Sequence, residues 1–254
     1  MRGIEGKEMD NNALLFILIA VITLGASYIQ GATGFGFGIF AMIFLPMLLS
    51  YTEANVLSSI LGTLSALFIT VLTFRKIHWK NILFPTVGSI FFGFVAISFI
   101  KVQSSQTLML FLGVALVILS MYFFFFTDKI KIRPTWYAGL IAGIISGFMT
   151  GMFSIGGPPV VIYFMQSEEN AEKYLATISA YFALSGVISV SMKAGAGFVT
   201  VPVLIGLAVG LVGMAVGSFV GKLTRDKIKP NMIKKVVYGF MAVSGAVNIV
   251  TSLF

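Results

Sequence analysis

The sequence predicts an all-α integral membrane protein, and three observations carry that reading. The chain of 254 residues is 58% apolar and only 10% charged, with 25 phenylalanines and a mean hydropathy of +1.01. Its apolar residues fall into about ten runs, most of them long enough to cross a bilayer as helices. Two runs are short, and each follows a glycine-rich stretch, QGATGFGFGIF at 30–40 and TGMFSIGGPPV at 150–160. A water-soluble domain of this size cannot hide so much apolar surface, because surface area falls too slowly with size.

The elements follow in order. Residues 1–12 form a polar N-terminal tail carrying three acids and two bases. With the apolar run behind it this tail resembles a signal peptide, with Gly25-Ala26-Ser27 as the cleavage site. The excess of acid argues against that, as does a motif whose partner lies later in the chain. The apolar runs fall at about 13–29, 35–50, 54–74, 81–100, 105–127, 135–152, 157–166, 174–192, 198–221 and 231–253. The second and seventh read as broken or half-length helices, and each is the second element of a five-segment half.

Shifting the chain by 120 residues lays the first glycine motif over the second, with Gly31 on Gly151 and Gly36 on Gly156. TEAN at 52–55 falls near AEKY at 171–174, and Pro85 near Pro202. The expected organisation is a first membrane repeat at 13–127, a basic linker at 128–134 and a second repeat at 135–254. Five segments is an odd number, so the two repeats are inverted. With ten crossings, 13 of the 17 basic residues fall on one side, among them Arg75, Lys76, Lys80, Lys129, Lys131, Arg133, Lys173, Lys222 and Arg225. That bias predicts an inner (cell) membrane protein, multi-pass, with both termini away from the cytoplasm. Merging each short run into its predecessor would split the charges about evenly.

Several function classes fall away. The first motif lacks the strand of a dinucleotide fingerprint and the lysine of a phosphate loop. The net charge of +8 is accounted for by cytoplasmic loops, so nucleic acid is not an expected partner. There is no cysteine, and the single histidine, His78, lies in the basic string RKIHWK, where it reads as a loop side chain. With no catalytic dyad or nucleophile motif, the chain is not read as an enzyme, and no metal or cofactor is expected. Inverted repeats with broken helices are the mark of secondary transporters, whose substrate sits where the breaks meet near the midplane.

At its two motifs, QGATGFGFGIF with Pro46 and SGFMTGMFSIGGPPVV at 146–161, the chain resembles the sulfite exporter TauE/SafE family of membrane proteins. The resemblance in arrangement covers nearly the whole chain. It implies a polytopic helical fold and export of a small anion, an organosulfonate or sulfite. The family's motifs often hold three glycines in a row, whereas this chain has Gly-Phe-Gly-Phe-Gly and Gly-Gly-Pro-Pro. An anion channel, or a structural membrane subunit without carrier activity, is the alternative.

The candidate substrate-binding residues flank the breaks. Gln30, Thr33, Thr150 and Ser154 offer polar side chains, although Ser and Thr in membranes often bond their own helix. Gly34, Gly36, Gly38, Gly156 and Gly157 would let backbone amides face a cavity. Pro158, with Pro159, suits the first turn of a new helix, whose N-terminus attracts an anion. Ser27, Tyr163 and Asn248 are weaker candidates. Glu53 and Lys193 are expected to snorkel to water, Gln166, Glu168 and Glu169 to form a solvated loop, and Phe123–Phe126 to face lipid. The anion's partners would then be helix N-terminal amides in place of a buried lysine, and the membrane potential would drive export. The expected partners are thus a small anion and the lipid bilayer, with a homo-oligomer left open.

Overall fold

The structure, a computed structural model, describes the backbone of residues 2–126, 132–225 and 230–253, and side chains for 13–125, 132–225 and 238–253. Lys129, Lys131, Lys227 and Lys229 of the charge argument lie outside the described residues, as does most of the linker. Ten helices and two short 3-10 turns make up the described chain, with no strand among those residues. They are α1 (Arg2–Thr33), α2 (Phe37–Phe44), α3 (Tyr51–Thr73), α4 (Trp79–Ile100), α5 (Ser105–Phe126), α6 (Trp136–Phe153), α7 (Gly157–Ser167), α8 (Ala171–Gly195), α9 (Val201–Thr224) and α10 (Pro230–Leu253).

Seven of these are long and apolar enough to cross a membrane. The two that follow the glycine motifs are not. At 1.5 Å per residue, the eight residues of α2 and the 11 of α7 reach only about half of a 30 Å hydrocarbon core. Each starts where a glycine ends the preceding turn: Gly36 caps α2 and Gly156 caps α7. The helix after each is capped by a side chain. Ser50 forms a capping box with Glu53 at the start of α3, and Asn170 Oδ1 accepts from the amides of Glu172 and Lys173 at the start of α8.

Close contacts fix how the helices run. Ala20, Leu24 and Tyr28 of α1 lie against Gly213, Gly217 and Gly221 of α9, so these two are parallel. Leu57 and Leu61 of α3 lie against Gly206 and Gly210, which makes α3 parallel to α9 as well. Pro85 and Ser89 of α4 meet Gly143 and Gly147 of α6, a third parallel pair. By contrast α3 and α8 run antiparallel, with Asn55 beside Lys193 and Thr63 beside Gly186. So do α5 and α10, where Gln106 donates to the Ser252 carbonyl and Ser120 to that of Tyr238. Because α1 and α3 point the same way, the stretch containing α2 must bring the chain back to the side where α1 began.

Glycine makes the closest of these contacts. A Cβ at Gly143 would lie 2.0 Å from the Pro85 carbonyl oxygen, and one at Gly213 would lie 2.2 Å from that of Ala20. In lipid, where burial of apolar surface gives helices no reason to associate, such backbone proximity supplies the packing that holds them.

The polar end of the bundle differs from expectation in one place. Lys76 pairs with Glu172, and Lys173 donates to Glu169 at 2.6 Å, which holds the Glu169 carboxyl below the usual carboxylate range. Glu168, however, is buried. Its carboxylate lies 2.8 Å from His78 Nδ1 and accepts from Asn81 Nδ2 at 2.8 Å, tying the α3–α4 turn to the α7–α8 turn. The reading of Glu168 as solvated is therefore corrected. Phe123 is also buried, stacked on Tyr238 with centroids 4.8 Å apart, while Phe124 and Phe125 stay exposed as expected of lipid-facing rings.

Candidate functional site

The two helix breaks touch. After Thr33 the chain leaves the helix through Gly34 and Gly36, both with positive φ (84° and 100°), and after Phe153 it leaves through Ser154 at φ 58°. Gly38 then sits so near the second break that a Cβ there would lie 1.7 Å from the Ser154 carbonyl oxygen. Phe35 packs on Gly157 in the same way, 3.1 Å from where a Cβ would stand. Around this contact lies a cavity with about 550 Å³ of empty space, counted to its mouth.

Its walls come from four directions. Gln30, Gly36, Phe37 and Gly38 belong to the first break, and Thr150, Ser154, Gly156 and Gly157 to the second. α3 contributes Ser58, Ser59, Gly62 and Thr63, and α8 contributes Phe182, Ser185, Gly186 and Ser189. Thr63 and Gly186 both lie near the middle of their helices, so the cavity is at mid-depth in the bundle.

Hydrogen bonds hold the breaks in place. Gln30 Nε2 donates to the Gly62 carbonyl at 3.2 Å, and Arg225 donates to that of Gly31 at 2.7 Å. Tyr181 donates to Ser146 Oγ at 2.8 Å, and Ser146 in turn donates to the Gly156 carbonyl at 2.5 Å. Three buried polar atoms of residues that line the cavity have no partner within the protein: Gln30 Oε1, Ser58 Oγ and Ser189 Oγ. An unpaired buried group of this kind costs about 1–3 kcal/mol, so a cluster of three points to a place built for a polar guest. The first amides of α2 and α7 add donors with no partner inside their own helices, although Pro158 and Pro159 remove two from α7.

Of the ten candidate residues, seven line this cavity: Gln30, Gly36, Gly38, Thr150, Ser154, Gly156 and Gly157. Three do not. The Thr33 hydroxyl is spent on the carbonyls of Ile29 and Phe35, both 2.8 Å away. Gly34 faces Leu175 and Ile178, and Pro158 is buried off the wall. The weaker candidates also lie elsewhere. Ser27 bonds the Thr23 carbonyl, Tyr163 packs beside Gly139, and Asn248 lies against Gly113 in the α5–α10 pair.

Lys193 is where expectation fails most. It does not snorkel; its side chain is wholly buried (0% exposed) between α8, α3 and the second break. Nζ donates to Asn55 Oδ1 and Ser59 Oγ, both at 2.6 Å, and lies 3.4 Å from Ser154 Oγ and 3.5 Å from the Thr150 carbonyl. The Tyr51 hydroxyl and the Asn55 amide both donate to the Met152 carbonyl beside it. An ammonium taken out of water costs on the order of several kcal/mol, which neutral oxygens repay only in part. The signal was in the sequence. Ser185, Ser189 and Lys193 are spaced by four, as are Asn55, Ser59 and Thr63, so each set shares one helix face.

The arrangement is thus a mid-depth polar cavity at two helix breaks with a buried cation behind one wall. The sulfite exporter TauE/SafE family matches residues 18–247, nearly the whole chain. The chain belongs to that family. It is also similar to the "Probable sulfite/organosulfonate exporter TauE" of Cupriavidus necator, at 21% identity over 94% of this chain and 95% of that protein. No solved structure matches it. Membership makes this a multi-pass membrane protein of a transporter family, in line with the seven long apolar helices among the described residues.

Proposed function

We propose that this chain exports a small anion, an organosulfonate or sulfite, and binds it in the cavity where the two helix breaks meet. The observation that carries this reading is the contact of Gly38 with Ser154 beside three unpartnered polar atoms. Gln30, Gly36, Gly38, Thr150, Ser154, Gly156 and Gly157 form the site, and Thr33, Gly34 and Pro158 shape the breaks from outside it. The relative from C. necator, named for sulfite and organosulfonate, favours the same substrate class. A thermal-shift series of the purified protein with sulfite, sulfoacetate, taurine, sulfate and acetate tests it. A sulfur oxyanion should raise the apparent melting temperature with the logarithm of its concentration, and acetate should not. Labelled counterflow in proteoliposomes should then saturate; conductance without saturable exchange would make the protein a channel.

Two inverted repeats, α1–α5 and α6–α10, give this site its symmetry. Supporting the reading, the caps at Gly36 and Ser50 recur at Gly156 and Asn170, and α1 pairs with α9 as α4 pairs with α6. The helix directions put Arg75, Lys76, Lys80 and Lys173 at one end of the bundle, joined there by the Lys76–Glu172 pair. In an inner membrane this end faces the cytoplasm and both termini face away. Single cysteines placed at the chain ends of this cysteine-free protein should react with an impermeant reagent in intact cells stripped of their outer membrane. A cysteine at Lys80 should not; the reverse pattern would overturn the orientation.

A further inference from the structure

Among the described residues, Lys193 is the single buried base. Arg75, Lys76, Lys80, Lys101, Arg133 and Lys222 are exposed, and His78, Lys173 and Arg225 are half-buried. The described carboxylates are all engaged elsewhere: Glu53 in the cap with Ser50, Glu168 with His78, Glu169 with Lys173 and Glu172 with Lys76. None lies within ion-pair distance of Lys193. A buried cation held only by neutral oxygens calls for an anion, and its partners Ser59 and Ser154 open onto the cavity. Of its four oxygen neighbours, Ser59, Ser154 and Thr150 belong to residues that line that cavity, and Ser189, one turn back along α8, lines it too.

We propose that Lys193 is the counter-charge of the transported anion, acting through Ser59 and Ser154. This inference rests on the anion-export reading. The hydroxyls form a short relay. Ser59 Oγ accepts from Lys193 at 2.6 Å and lies 2.6 Å from Ser154 Oγ, whose own proton goes to the Asn55 carbonyl at 2.8 Å. With no anion present, Ser59 gives its proton to Ser154, and both hydroxyl protons of the relay are used within the protein. When an oxyanion enters, Ser59 turns that proton to an anion oxygen and keeps accepting from Lys193, so the positive charge stands one hydroxyl behind the ligand. Ser58 and Ser189, which have no partner in the protein, add donors on either side. The same ammonium fastens α8 to α3 and to the second break, so an anion that draws on it also loosens the contacts closing that end of the cavity. The ligand this selects carries negative charge on clustered oxygens, as a sulfonate or sulfite does; a neutral compound of the same shape gains nothing from the lysine.

Charge and shape can be separated with methanesulfonate and its neutral isostere methanesulfonamide, titrated against the full-length protein in detergent by thermal shift and calorimetry. Wild type should bind the sulfonate at least about tenfold more tightly than the sulfonamide. K193M, which keeps the stem and removes the charge, should lose that preference while its affinity for the sulfonamide is unchanged; K193R should keep most of it. If K193M binds the sulfonate as tightly as wild type, or weakens for both ligands alike, Lys193 is a structural hook and the inference fails. If K193M is not recovered folded, K193Q is read in the same way, and loss of both variants also assigns a structural role. A wild type that binds neither ligand would fail the anion-export reading itself, an outcome distinct from a wild type that binds and a K193M that still discriminates.

Discussion

Gly38→Val should abolish transport while the protein still inserts in the membrane. The space for a side chain at this position is taken by backbone, because its Cβ would lie 1.7 Å from the Ser154 carbonyl oxygen and 2.7 Å from the carbonyl carbon. Backbone at a helix break held by the Ser146–Gly156 bond cannot rotate aside as a side chain can. The strain therefore drives the breaks apart, at a cost near or above the upper end of overpacking changes, about 3 kcal/mol. Gly156→Ala is the graded comparison. Its Cβ would meet the Thr150 hydroxyl at 1.8 Å, on a side chain with other rotamers, and the Ser146 carbonyl oxygen at 2.9 Å, a far smaller backbone overlap than at Gly38. Gly195→Ala, where nothing lies within 4 Å, should be silent. Insertion depends on the apolar runs, which none of these substitutions alters. Labelled-sulfonate counterflow and thermal unfolding in detergent measure the two effects. Wild-type counterflow in Gly38→Val would mean that the contact of the breaks is not the site.

Much of this architecture was legible in the sequence, for a physical reason. Lipid leaves helices as the main way to satisfy a backbone, so apolar run lengths alone place α3 to α10 within a few residues of their observed ends. The breaks were legible too, since clustered glycine between apolar runs has few other uses at membrane depth. Which side chains face the cavity was less so. The breaks mark only half of the wall; the rest comes from helices that pack across them, where Asn55, Ser59 and Thr63 face Ser185, Ser189 and Lys193. A lysine near a segment end snorkels only if its face of the helix meets water or headgroups, and that depends on tertiary packing. Here α3 and the second break cover it. The burial of Glu168 was hidden for a similar reason, because its partner His78 lies about 90 residues away in sequence.

Export through this cavity should be driven by the membrane potential. No carboxylate among the described residues sits at mid-depth; Glu53, Glu168, Glu169 and Glu172 lie at helix ends or in turns, so no acidic relay for protons crosses the bundle. The ionisable group buried beside the cavity is Lys193, which changes the expectation that amides alone would face the anion. If Lys193 keeps its proton throughout the cycle, its charge stays with the protein and each turnover moves only the charge of the anion. With the cytoplasm negative, each negative charge leaving gains about 2.3 kcal/mol per 100 mV. In proteoliposomes clamped by a potassium ionophore at 100 mV, inside negative, labelled methanesulfonate should settle roughly 50-fold lower inside than outside. The competing cycle has Lys193 surrender its proton as the anion leaves. Proton and anion would then cross together, the potential would have no effect, and an imposed pH gradient would set the distribution instead. Efflux that follows the pH gradient and ignores the clamp would therefore overturn the potential-driven cycle and make Lys193 the proton carrier.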